Sequence, residues 1–189
     1  MPSPNLKDEM KPSEIQANIF AGQALMLATS RVSASLDTFS GWLAAGFGAV
    51  LALFIANLDS VSKFISLESI KCGATLVLAS TLFAVIDKFL AAFIAAGTAA
   101  AAEGAALGKD IAERGVELDV PTFFSQITRA LFWPLSAFAR SSFAKVGAGD
   151  FAGPSRMYTK AAQIQAFVVI IQAGLSLAAA IAIVHGLAV

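Results

Sequence analysis

Two long stretches without a charged residue constrain the fold of this chain more than any other feature. Residues 41–58 and 161–184 run for 18 and 24 positions without Asp, Glu, Lys or Arg. A helix needs about 20 apolar residues to cross the hydrocarbon core of a bilayer. Charged residues make up 14% of the chain, whereas a soluble domain carries them at about a quarter of its positions. The sequence therefore predicts an all-α integral membrane protein.

A soluble all-α bundle with fully buried central helices is the alternative fold. A chain of 189 residues offers little core in which to bury such helices, so we prefer the membrane fold with about three transmembrane helices. Its predicted segments are a flexible tail (1–13), a juxtamembrane helix (14–40) with Ser13 as its N-cap, a transmembrane hairpin (41–94) with spans at 41–58 and 70–90, cytoplasmic and interfacial helices (95–160), and a third transmembrane helix (161–189).

Asp87 and Lys88 interrupt the second predicted span. A central Asp or Lys costs about 2.5–3.5 kcal/mol on insertion scales, so we expect the pair near a membrane face. Adjacent helical residues do not face each other, so each side chain should have a separate partner. We prefer two side chains that snorkel at the cytoplasmic interface. The alternative is a pore or coupling site, for which Gln165 and Gln172 are the other candidates.

The region between the second and third spans contains a predicted amphipathic helix at about 122–143. Asp119 and Pro121 indicate its start, and Pro134 is expected to kink it. The helix could lie in the interface plane, pack on neighbouring helices or form a fourth span; the first is preferred. The candidate interfacial residues of the whole chain are Trp42, Arg129, Trp133, Arg140 and Tyr158.

Small residues recur at four-residue intervals in two spans. They are Ala44, Gly48, Ala52 and Ala56 in the first span, and Gly174, Ala178, Ala182 and Gly186 in the third. Such small-residue ladders let helix backbones approach closely in membranes. They predict tight helix association, within one chain or between copies in a homo-oligomer.

Basic residues indicate the orientation of the chain. Ten Lys or Arg residues precede the first span or lie between the second and third spans, whereas only Lys63 and Lys71 lie in the hairpin loop. The N-terminus is therefore predicted to be cytoplasmic and the C-terminus outside the cell membrane.

Residues that could support chemistry are scarce. The chain has one histidine, His185, and one cysteine, Cys72, and a zinc site would need at least three ligands. The 13 basic and 13 acidic residues give no basic footprint for nucleic acid. No catalytic residue, metal site or cofactor is predicted.

The function predicted from these features is that of a non-enzymatic, self-associating membrane protein, a scaffold or a regulatory subunit. Its expected partners are the lipid bilayer, further copies of itself and an unidentified protein that binds its cytoplasmic helices. An oligomeric pore or membrane-perturbing effector and a subunit of a larger transporter are the alternatives. An intramembrane enzyme is less favoured, because only Asp87 and His185 could serve it.

Overall fold

A computed structural model describes residues 11–115, 119–131, 133 and 135–187 of the chain. This part of the chain is almost entirely helical, and its helices are α1 (Pro12–Ala56), α2 (Leu58–Val61), α3 (Leu67–Glu113), α4 (Val120–Ala130), α5 (Leu135–Gly147) and α6 (Gly153–His185). An isolated antiparallel bridge joins Ile65 to Leu187. Residues 1–10 of the predicted tail and the predicted kink at Pro134 lie outside the described residues.

Three of the helices are long and apolar enough to cross a membrane. They are α1 with 45 residues, α3 with 47 and α6 with 33. The predicted juxtamembrane helix and first span are one continuous helix, α1. The predicted second span likewise continues without a break through the rest of α3. The prediction of an all-helical chain with three such helices is confirmed for the described residues.

The ends of these helices follow local chemistry. Ser13 is not the N-cap of α1, because the helix already begins at Pro12. The Glu14 carboxylate instead accepts a hydrogen bond from the Lys11 N–H at 3.3 Å, as the glutamate of a capping box does. Beyond the end of α3, Gly115 has a φ of 64°, the left-handed conformation that often follows a helix.

The chain divides into two compact units. Unit 1 comprises residues 1–29 and 97–159, and unit 2 comprises residues 30–96 and 160–189. The long helices α1, α3 and α6 each contribute residues to both units.

In unit 1, the predicted helix at 122–143 is two helices rather than one. Asp119 caps α4 as predicted, because its side chain accepts from the Thr122 N–H. Helix α4 ends where Leu131 becomes extended, with φ −100° and ψ 136°. A proline at position 134 cannot donate the backbone hydrogen bond that would continue a helix to residue 130. The rings of Phe124 and Phe143 stack with centroids 4.0 Å apart and join α4 to α5.

Close contacts elsewhere in unit 1 involve α1, α3 and α6. The Tyr158 ring on α6 occupies the position that a Cβ on Gly97 of α3 would need. The hydroxyls of Thr29 and Thr159 are hydrogen-bonded at 2.9 Å. A turn precedes α6, with Gly149 at a φ of 83°.

In unit 2, parts of α1, α3 and α6 pack together through positions that alternate three and four residues apart on α3 and α6 and lie seven residues apart on α1. These buried positions are Ser33 and Ser40 on α1; Ile70, Gly73, Val77, Ser80, Ala84 and Asp87 on α3; and Ala162, Gln165, Val169, Gln172, Ser176 and Ala179 on α6. This spacing is the heptad repeat that keeps one face of each helix toward its neighbours. The core of unit 2 is therefore built by helix-to-helix packing.

Unit 2 exposes many large apolar side chains and buries several polar ones. Large exposed hydrophobic residues include Leu78, Leu82, Val85, Phe89, Phe167, Ile170, Leu177 and Ile181. The side chains of Ser40, Asp87, Gln165 and Gln172 are instead fully buried. This arrangement reverses the usual pattern of soluble proteins, in which charged and amide side chains are mostly exposed.

Candidate functional site

The candidate site is a set of buried polar residues between α1, α3 and α6 of unit 2, which we call the polar seam. It consists of Ser33 and Ser40 on α1, Ser80 and Asp87 on α3, and Gln165, Gln172 and Ser176 on α6. Each helix contributes one pair of seam residues that are seven positions apart in the sequence. Two polar layers result, about 10 Å apart along the helices.

The first layer is centred on Gln172. Its Oε1 accepts from the Ser40 hydroxyl at 2.6 Å, and its Nε2 donates to the Ser40 carbonyl oxygen at 3.0 Å. The Ser80 hydroxyl donates to the Gln172 carbonyl oxygen at 3.2 Å and lies 2.9 Å from the Ser176 hydroxyl. Both polar atoms of the Gln172 side chain are thus used in contacts between helices.

The second layer is centred on Gln165. Its Nε2 donates to the Asp87 Oδ1 at 2.9 Å and to the Ser33 carbonyl oxygen at 3.2 Å. Both partners are acceptors, so only the nitrogen of the amide can occupy this position. From the second layer to the first, the residue number rises on α1, from Ser33 to Ser40, and on α6, from Gln165 to Gln172. On α3 it falls, from Asp87 to Ser80. Helices α1 and α6 are therefore parallel in unit 2, and α3 is antiparallel to both.

The second layer is incompletely satisfied. Asp87 Oδ2 and Gln165 Oε1 are buried and have no hydrogen-bond partner among the described residues. Both side chains are 0% exposed. Because a buried polar atom without a partner is uncommon in a folded protein, these two oxygens distinguish the second layer from the first.

Lys88 has a different environment from its neighbour Asp87. Its Nζ forms an ion pair with Asp37 Oδ1 at 2.7 Å and also donates to the Asp37 carbonyl oxygen at 3.2 Å. The prediction that the two adjacent residues have separate partners is confirmed. The preference for two snorkelling side chains is wrong for Asp87, because Gln165 draws its carboxyl into the interior.

A groove of about 390 Å³ lies beside the Asp37–Lys88 ion pair, between α1 and α3. Its lining is mostly small: Ser30, Ser33, Ala34, Asp37, Lys88, Ala91, Ala92, Ile94 and Ala95. Ser33 links the groove to the second polar layer, since the same residue provides the carbonyl oxygen bound by Gln165.

The small-residue ladders are only partly used within the chain. A Cβ built on Gly48 or Gly174 would meet nothing within 4 Å. Gly186, in contrast, packs closely against Ser69 and Ile65. Of the other ladder residues, Ala52 and Ala56 are exposed, whereas Ala44, Ala178 and Ala182 are half-buried.

The candidate interfacial residues divide between the two units, with Trp42 in unit 2 and the other four in unit 1. The indoles of Trp42 and Trp133 are 74% and 79% exposed, as an aromatic anchor at a membrane surface would be. Arg129 and Arg140 are also exposed. Tyr158 instead packs against Gly97 within unit 1.

Sequence reasoning placed Asp87, Gln165 and Gln172 in one candidate group but missed Ser33 and Ser40 of α1. Serine is a common residue at helix surfaces, and nothing in its type indicated that these two face the interior. The signal that could have found them is the shared interval of seven residues in all three helices, which is the period of a packed helix face.

No family model, curated protein or solved structure matches this chain. Within the described residues, no group of three or more His, Cys, Asp or Glu side chains could hold a metal ion.

Proposed function

We propose that the protein is a non-enzymatic integral membrane protein that acts as a self-associating scaffold or regulatory subunit. The observation that carries the proposal is the hydrogen bonding of the polar seam within a single chain. Three helices that are apolar outside and joined by amide and hydroxyl groups inside form a unit suited to lipid. In a bilayer, hydrogen bonds between helices replace the water that would otherwise satisfy these groups.

The exposed apolar surface of unit 2 supports placement in the membrane. Side chains such as Leu82, Phe89 and Phe167 are each about two-thirds exposed or more. A contiguous apolar surface of this kind is a liability in water and is favourable against lipid tails. The excess of Lys and Arg in residues 1–40 and 95–160 supports a cytoplasmic position for these segments and an external C-terminus.

The hydrogen bonding of Gln172 favours a scaffold over a pore. A pore needs polar groups that face open space along a span. Both polar atoms of the Gln172 side chain already bind Ser40, and Ser80 and Ser176 bind each other. These groups serve to hold the helices together, so a conduit assembled from several copies would need a different polar surface.

The sparse burial of α1 supports self-association. Only 6% of the most apolar stretch of α1 is buried, compared with 28% in each of α3 and α6. Gly48 lies on this helix with no neighbour around its Cβ position. A second copy of the chain could approach α1 closely there, as small residues allow in membranes.

Counting copies in lipid tests the proposal. The chain would be released from nanodiscs into a mass spectrometer under native conditions, and liposomes containing it would be assayed for ion flux. We expect a defined small oligomer with no flux above that of protein-free liposomes. Monomers alone would contradict self-association, and a closed ring of four or more copies with flux would favour the pore.

Cys72, the single cysteine of the chain, allows the membrane placement to be tested separately. Its side chain is free and exposed near the start of α3, on the predicted external side. A membrane-impermeant maleimide should label it in intact cells, and Cys72→Ser provides the blank. Labelling that requires cell lysis would contradict the orientation, and release of the chain by alkaline carbonate would contradict membrane insertion.

A subunit of a larger transporter is the second candidate. The unpartnered oxygens of Asp87 and Gln165 favour it, because intramembrane ionisable residues commonly mark ion or proton pathways.

A further inference from the structure

We propose that the buried Asp87–Gln165 pair is a proton-binding site, in which Asp87 holds an exchangeable proton on Oδ2. The inference rests on the interior of unit 2 and goes beyond the proposed scaffold function. It does not require self-association. The bound species is a single proton taken from water, so the reaction converts the carboxylate and a hydronium ion into a carboxylic acid and water.

The hydrogen count of the second layer points to a proton. Gln165 Nε2 uses its two hydrogens for Asp87 Oδ1 and the Ser33 carbonyl oxygen. Two buried oxygens, Asp87 Oδ2 and Gln165 Oε1, then lack a donor. An ionised carboxylate can only accept, whereas a carboxylic acid also donates one hydrogen. One proton on Oδ2 supplies the hydrogen that this layer lacks, and Gln165 Oε1 is its available acceptor.

The covalent connection of these atoms supports Gln165 Oε1 as the acceptor. Gln165 Oε1 is attached to the same carbon as Nε2, and Asp87 Oδ2 is attached to the same carbon as Oδ1. The two groups are already joined by the Nε2–Oδ1 hydrogen bond at 2.9 Å. A divalent cation fits less well, because such ions take six or more oxygen ligands and the second layer has only two buried oxygens without a hydrogen-bond partner, Asp87 Oδ2 and Gln165 Oε1.

The charges around Asp87 do not neutralise it. On the helices packed here, the charged residues closest in sequence to the second layer are Arg31 and Asp37 on α1, Lys88 on α3 and Lys160 on α6. Lys88 pairs with Asp37, while Arg31 and Lys160 are exposed. None of the ion pairs among the described residues includes Asp87. A buried carboxylate without a cation is costly, and a proton removes that cost.

The groove between α1 and α3 provides access for exchange. It is lined by Asp37, Lys88 and Ser33, and Ser33 directly contacts the amide that binds Asp87. Water in this groove would be separated from Gln165 and Asp87 by a single residue, Ser33. The site is thus buried enough to hold a proton and close enough to a polar groove to exchange it.

Infrared difference spectroscopy of the full chain in nanodiscs tests the proposal. At neutral pH we expect a carboxylic-acid C=O band that is absent from Asp87→Asn and retained in Asp37→Asn, the matched control for a partly exposed carboxylate. The band should shift in D₂O, as expected for an exchangeable proton, and change frequency in Asp87→Glu. A band that persists unchanged in both Asp87 variants, or a wild-type spectrum without one, would overturn the proposal.

A second measurement distinguishes a proton from a metal ion and uses the same variant. Because an asparagine amide can donate where the proton would, Asp87→Asn should fold and lose the acid band. The acid band of the wild type should be equally strong when NaCl replaces choline chloride at constant pH. Loss of the band in NaCl would contradict a proton as the bound species.

Discussion

Ser40 and Gln172 exchange two hydrogen bonds across the interior of unit 2, one from the Ser40 hydroxyl and one to its carbonyl oxygen. The residues are 132 positions apart in the sequence, so this contact forms only when the first and last long helices meet. The Gln172 side chain binds both the side chain and the backbone of Ser40. The pair therefore fixes the alignment of α1 with α6 as well as their proximity.

Loss of the Gln172 amide should destabilise unit 2. Gln172→Leu removes both bonds to Ser40 and should cost about 1–2 kcal/mol, the range found for hydrogen bonds between helices in membranes. Gln163→Leu is the matched control, because Gln163 lies on the exposed face of the same helix. Reversible unfolding in mixed detergent micelles would measure both, and equal stabilities would show that the seam contributes little.

Gly97 should not tolerate a larger residue. Gly97→Ala would place a methyl group where the Tyr158 ring lies, and overpacking of this kind typically costs about 1–3 kcal/mol. Gly104→Ala on the same helix meets nothing within 4 Å and should instead stabilise the helix by about 0.5–1 kcal/mol. Thermal unfolding of Gly97→Ala, of Gly104→Ala and of the double variant Gly97→Ala with Tyr158→Ala would measure the effect. If the double variant does not restore stability, the close contact is not the cause of the loss.

Acid should weaken the start of α4. The Thr122 hydroxyl and then the Thr122 N–H bind the Asp119 carboxylate and lower its pKa below 3.8. A lowered pKa in the folded state means that the stabilisation is present above the unfolded value and is lost as the pH falls through the folded value. The protection of the first-turn amides of α4 against hydrogen exchange, relative to the intrinsic rate at each pH, should therefore fall below about pH 3.8, and the change should be smaller in Asp119→Asn.

The ladder of α1 should be sensitive to side-chain size if copies of the chain meet there. Gly48→Leu is expected to reduce crosslinking between copies, because a large side chain keeps the helix backbones apart. Ala178→Leu tests the ladder of α6 in the same way. Gly46→Leu is the control, since Gly46 is equally open but lies outside the ladder. Crosslinking that is unchanged in both ladder variants would remove the basis for self-association through these faces.

The sequence predicted the helices better than it predicted their interior. Long apolar stretches determine where helices form, and Asp119 and Gly115 have side-chain or backbone chemistry that fixes helix ends locally. The break at Leu131 was not predicted, because apolar residues keep their three- and four-residue spacing on both sides of it. Periodicity alone does not distinguish one helix from two that present similar faces.

The inward position of Asp87 required knowledge of a distant partner. Insertion scales describe a charge on an isolated helix, and on that basis a membrane face is the favourable position. Gln165, 78 residues away, donates an amide hydrogen to the Asp87 carboxyl and so favours its position in the interior. Both residues were candidates, but their pairing depends on how α3 and α6 align, which local sequence does not specify.

The division of donors and acceptors in the polar seam has a consequence for biogenesis. Both amide side chains of the seam lie on α6, which is the last of the long helices to be synthesised. Before α6 arrives, Ser40 and Asp87 have none of the partners that satisfy them in the finished protein. A nascent chain with only α1 and α3 therefore holds these two polar side chains without those partners until the final helix docks.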